Sequence, residues 1–98
     1  MKLTTEMKDK VCVITVEGSV DSVTSIEFDK AVTAVMSDCD MLILDLGGAE
    51  YVSSAGIRVL VKARQQMGGK RLVLRHVTNE VEDVLHMTGF LRMFTIEK

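Results

Sequence analysis

A chain of 98 residues, 47% of them hydrophobic, can bury one core but not two, so a single domain spanning 1–98 is expected. The 27% of charged residues and the absence of proline exclude a disordered tail or linker, and a net charge of −2 without a basic run excludes the electrostatic footprint of a nucleic-acid binder. The longest apolar stretch, MLILDL, is interrupted by Asp45, and MKLTTEMKDK lacks the core of a signal peptide. No membrane insertion is expected, and the chain reads as cytoplasmic.

In chain order, KVCVITVEG is a β-branched run closed by Gly18, and KLTTEM can pair back onto it through a turn at Lys8-Asp9-Lys10. Phe28, Ala31, Val32, Val35 and Met36 then recur at helical spacing behind Thr24 and Glu27, which fit a capping box. MLILDLGG is a continuous apolar run ending at Gly47-Gly48, as suits a central strand buried on both faces. Ile57, Leu60, Val61 and Arg64 mark a second helix that Gly68-Gly69 stops. RLVLRHV predicts a further strand; Thr78 or Asn79 caps a third helix facing Val81, Val84 and Leu85 inward, Gly89 ends it, and MFTI supplies an edge strand. The order ββαβαβαβ predicts a small, mostly parallel α/β sheet with an opening hairpin. Ile14, Val16, Leu42, Leu44, Leu60, Val61 and Leu74 are its expected core. Cys12 and Cys39 lack CxxC spacing and a neighbouring histidine, which predicts buried, reduced thiols. No zinc, Walker or dinucleotide pattern is present, so no cofactor is expected.

The stretch AEYVSSAGIRVL carries the candidate site, because it joins the carboxyl end of the central strand to the second helix, where open α/β sheets hold functional residues. One reading makes Ser53 or Ser54 an N-cap. One cap needs only one serine, however, and Gly56 in the first helical turn costs up to about 1 kcal/mol relative to Ala. A partner approaching closely would explain the missing side chain. A second reading makes a serine there a phosphorylation site, since a helix N-terminus receives phosphate well and Arg58 lies one turn beyond Ser54. A serine hydrolase is the weakest reading: Ser54 has Val52 rather than glycine two residues before it, and His76 and His86 stand at element ends.

The chain resembles the STAS domains, and within them the bacterial anti-sigma factor antagonists, through VEGSVDSVTSIEF, LILDLGGAEYVSSAGIRVL and LVLRHVTNEVEDVLHMTGFLRMFTI. The resemblance implies a sheet of sequentially ordered strands and regulatory binding rather than catalysis. In the family motif, Asp-Ser-Ser/Thr-Gly, the serine after the Asp is phosphorylated by an anti-sigma factor that is itself an ATP-dependent kinase. Alignment on Gly56 puts Ser54 at that serine, Ser53 at the Asp position and Ala55 at the second hydroxyl position. Ser53 is the secondary acceptor, and Asp21 matches the family's glycine-to-acid turn beside the same surface. The implied partner surface comprises Asp21, Ser53, Ser54, Ala55, Gly56 and Arg58. The implied partners are the anti-sigma kinase and a serine phosphatase that reactivates the antagonist. The alternative within the family is an accessory subunit of a membrane-lipid transport complex, or a signalling scaffold, in which no phosphate acts as the switch.

Overall fold

Asp9 and Lys10 both adopt positive φ, 52° and 67°, in the computed structural model, which describes residues 1–98. A two-residue turn of that hand matches the twist of paired strands, and β1 (Lys2–Lys8) runs antiparallel to β2 (Val11–Val20) from Lys8↔Val11 to Lys2↔Glu17. From there the chain alternates. α1 (Thr24–Met36), β3 (Met41–Val52), α2 (Ser54–Met67), β4 (Arg71–Arg75), α3 (Asn79–Met87) and β5 (Thr95–Ile96) follow in order. The sheet runs β1-β2-β3-β4-β5, and every pairing after the hairpin is parallel, as the element order predicts. With β3 in the middle, the loop into α2 leaves from the centre of the sheet.

One core joins the sheet to all three helices. Cys12, Ile14, Val16, Leu42, Leu44, Leu46, Leu72 and Leu74 project from one face of the strands. They meet Phe28 and Val32 of α1, Ile57, Leu60, Ala63 and Met67 of α2, and Val81 and Leu85 of α3. Both cysteines are buried and unpaired, and burial pushes their thiols up from the ordinary value. On the other face Ile43 and Val73 are also buried, so β3 and β4 read as unbroken apolar runs. Val61 departs from the expected core: it is half-buried on the flank of α2, while Val59 and Ala63 go inside.

The largest difference from the sequence reading is the length of β3. It does not end at Gly47-Gly48 but continues to Val52. Between Thr15 and Glu17 of β2, and again between Gly18 and Ser19, β3 spends one extra residue, so the strands pair Glu17↔Gly48, Ser19↔Tyr51 and Val20↔Val52. Each bulge adds one residue to the two-residue repeat of side chains. The buried positions therefore run Leu42, Leu44, Leu46, then Ala49, then Val52. β2 likewise passes through Gly18, at φ 94°, to reach Val20. At the far edge MFTI contributes only Thr95 and Ile96, because Leu91–Met93 form a single 3-10 turn. β4 stops at Arg75, where His76 turns to φ 54°.

Leu44 is fully buried in the central strand of the sheet. Leu44→Ala is expected to lower the unfolding free energy by about 2–5 kcal/mol through the cavity it leaves, measured by urea titration. A loss under about 1 kcal/mol would be incompatible with this core.

Candidate functional site

Two neighbouring serines divide two tasks at the end of β3. Ser53 is extended, at φ −76° and ψ 175°, and its N–H donates to the Val20 carbonyl at 2.8 Å, closing the last rung between β2 and β3. Its hydroxyl accepts from the Gly56 N–H at 3.3 Å and its carbonyl from the Ile57 N–H at 2.9 Å. Ser53 is therefore the N-cap of α2. Ser54 is the first residue of the helix and is exposed, and its hydroxyl makes no hydrogen bond within the chain. It stands beside the positive end of the α2 dipole, where backbone N–H groups of the first turn point outward. Ala55 is half-buried next to it, and Arg58, one turn on, is exposed and forms no ion pair.

Gly56 has a different reason from the one the sequence suggested. It is buried, and a Cβ built there would meet Val52 Cγ1 at 2.7 Å and Val20 Cγ1 at 2.9 Å. The missing side chain admits the two valines that end β2 and β3. It is not an opening for an outside partner, and Gly56 itself offers that partner no surface.

Asp21 continues from Val20 as Ser53 continues from Val52, so the parallel register brings the two residues out of adjacent strands. Asp21 Oδ1 accepts from the N–H groups of Val23 and Thr24, both at 2.9 Å, while the Asp21 N–H donates to Thr24 Oγ1 at 2.9 Å. This reciprocal pair is a capping box set one turn earlier than the expected Thr24 and Glu27. Thr24 Oγ1 also donates to the Ser19 carbonyl at 2.8 Å, tying the start of α1 back to β2. The backbone donors of Thr24 and Val23, with the Thr24 hydroxyl, hold the Asp21 carboxyl below its ordinary value.

Three exposed apolar residues lie in the segments that lead into these two helices and were not picked out from the sequence. Val23 and Ile26, at the start of α1, are 74% and 60% exposed, and Tyr51, the second-last residue of β3, is exposed too. Ile26 carried a signal, since it falls off the Phe28–Val32 stripe and so had to face outward. Tyr51 was hidden by the bulge that precedes it. Neither histidine joins the serines: His76 Nδ1 lies 3.0 Å from both carboxylate oxygens of Asp45, and His86 makes no side-chain hydrogen bond.

The model of the STAS domain family matches residues 2–98, and the chain belongs to that family. BtrV of Bordetella bronchiseptica, by its name a candidate anti-sigma factor antagonist, is 32% identical over 98% of this chain and 85% of its own length. An anti-sigma factor antagonist from Mycobacterium paratuberculosis has the same fold at a TM-score of 0.85 and 27% identity, over 98% of this chain and 84% of that one. The anti-sigma factor antagonist SpoIIAA in its unphosphorylated form superposes at a TM-score of 0.84 with 14% identity, over 99% of this chain and 89% of that one. The Bacillus cell fate determinant SpoIIAA in its phosphorylated form follows at 0.78 with 13% identity, over 99% and 92%.

The division of tasks between the serines has a measurable consequence. Ser53→Ala is expected to cost about 1 kcal/mol of stability through loss of the cap, whereas Ser54→Ala should change stability by only a few tenths, by chemical denaturation. Gly56→Ala should cost about 1–3 kcal/mol by overpacking against Val20 and Val52, despite the better helix propensity of alanine. Asp21 adds a pH dependence. A folded-state pKa below the unfolded value gives stability that is present above the unfolded pKa and is lost as pH falls through the folded one. Asp21→Asn keeps an acceptor and removes the titration, so the advantage of wild type over this variant in Tm should shrink from neutral pH to about pH 3. A difference that stays constant with pH would contradict the assignment.

Proposed function

We propose that this chain is an anti-sigma factor antagonist that works by partner switching, with Ser54 as the phosphorylated residue. Unphosphorylated, it binds an anti-sigma factor with ATP-dependent serine kinase activity and so frees the sigma factor. Phosphorylated by that kinase, it lets go, and a serine phosphatase returns it to the binding form. The reading rests above all on Ser54, whose exposed hydroxyl is free of any structural task because Ser53 supplies the cap. Its relatives named as anti-sigma factor antagonists support the partner class.

The physical basis is a change of charge on a small surface. A phosphoserine carries about −1.5 to −2 at neutral pH. At the first position of α2 the phosphate would be welcomed by the helix dipole and lie within reach of Arg58, one turn away, so the folded domain would tolerate it. A partner packed over Ser54, Ala55 and the exposed Val23 and Ile26 would have to bury that charge, and would be expelled. Ser53 in place of the family's Asp keeps the N-cap, for which Ser and Asp are equally suited. It removes one carboxylate beside the acceptor, so Ser54 is flanked by neutral side chains on both sides.

Ser54→Ala, used as bait in cells of the source organism, should retain a kinase-type anti-sigma factor, and incubation of that factor with ATP and wild-type protein should add about 80 Da to the intact mass. Ser54→Ala should take up no phosphate, and Ser54→Asp should bind the factor at least about tenfold more weakly while melting like wild type. Retention of transport-complex subunits instead, with no phosphate on either serine, would overturn the switch in favour of the accessory-subunit reading.

A further inference from the structure

We propose that a cleft between the end of β3 and the first turns of α3 receives a lysine or arginine side chain of the anti-sigma factor, giving that partner a second anchor beside Ser54. The proposal rests on the antagonist reading above and adds the chemistry of the contact. The cleft has a volume of about 110 Å³ and is lined by Glu50, Tyr51, Val52, Glu80, Val81 and Val84. Pockets for cofactors and metabolites run to roughly 300–1,000 Å³, so this one suits a single side chain.

Its walls and rim differ in kind. Val52 and Val81 form a buried apolar floor that belongs to the core, Val84 is half-buried, and Tyr51 flanks it at 55% exposure. Glu50 and Glu80 are exposed at the rim, and neither forms an ion pair or a side-chain hydrogen bond within the chain. Lys98 does not neutralise them: its ammonium is held at 3.0 Å by both Glu82 and Asn79. Apolar walls under two unpaired carboxylates complement an aliphatic stem that ends in a cation. No other common side chain satisfies both halves.

The position makes the cleft part of the same surface. Tyr51 and Val52 lead directly into Ser53, and successive strand residues advance about 3.3 Å. A partner element lying over Ser54 therefore reaches the cleft within two or three residues of the β3 path. An anchor there would orient the kinase on the acceptor hydroxyl and would add affinity that the phosphate must overcome.

The test uses the anti-sigma factor retained by Ser54→Ala, with binding measured by calorimetry at low and physiological salt. Glu50→Lys/Glu80→Lys should weaken binding at least about tenfold, with the larger effect at low salt, and Glu50→Gln/Glu80→Gln should weaken it less. Tyr51→Ala should also weaken it, without the salt dependence. Melting curves of the Gln pair and of Tyr51→Ala should match wild type, which separates docking from folding if the Lys pair proves unstable. Reversing one Arg or Lys of the factor to Glu should restore binding to the Lys pair. If the Lys and Gln pairs bind like wild type, the cleft proposal falls while the Ser54 reading stands. If wild type binds no anti-sigma factor, both fall together. If wild type self-associates in sedimentation and the Lys pair abolishes only that, the occupant is a second copy of the chain and the proposal is likewise overturned.

Discussion

The site depends on one close approach, that of Gly56 to the two valines closing β2 and β3. Val20 and Val52 pair in register, Ser53 donates to the Val20 carbonyl, and the first turn of α2 settles onto both valine side chains because residue 56 has no Cβ. Helix start and strand ends thus share one small apolar contact. The orientation of Ser54 follows from it. A side chain at 56 would lift α2, lengthen the already long bond from Gly56 N–H to Ser53 Oγ, and blur the separation between the capping and the free serine.

Capping ties the starts of α1 and α2 to neighbouring strands at this end of the sheet. β2 feeds α1 through Asp21 and Thr24, which satisfy each other's backbone donors, and β3 feeds α2 through Ser53. Both helices begin at the carboxyl edge of the sheet, and Lys62 of α2 and Asp29 of α1 meet at 3.1 Å farther along. That exposed ion pair contributes little to stability, whereas the buried contacts of Phe28, Val32, Ile57 and Leu60 carry the packing. All three helices follow parallel strands and so begin at this edge, which makes it electropositive in backbone terms, although its side chains include Asp21, Glu50 and Glu80.

Much of this was legible in the residues. β-branched runs marked the strands, and the spacing of Phe28, Val32 and Val35, or of Val81, Val84 and Leu85, marked helices, because both periods are imposed by the burial of one face. The end of β3 was not legible, since two bulges replace the alternation of side chains with steps of three, and Gly47-Gly48 read as a stop. The capping box was misplaced because Thr24–Glu27 carries the usual signature, whereas in the Asp21–Thr24 frame that forms a threonine hydroxyl takes the place of the glutamate as reciprocal acceptor. Gly56 was recognised as a position requiring absence of a side chain, but the sequence does not say whether the space belongs to a partner or to the core. Likewise, one cap for two serines was deducible; which serine caps is decided by the register of β3 with β2.

The doubled bulge turns β3 into a ruler. From Leu44 to Ser53 the chain must be counted residue by residue, because deleting one position among 47–51 would erase a bulge and present the opposite face from there onward. Val52 would then leave Gly56, and Ser53 would lose its rung to Val20. An equal deletion at the exposed Gly68-Gly69 would disturb the C-cap of α2 and the bond from Arg64 to the Gly68 carbonyl but would leave the pairing of β3 with β2 in register. In this chain, the number of residues between Leu44 and Ser53 therefore constrains the placement of the serines more strictly than the identity of the exposed residues within that interval.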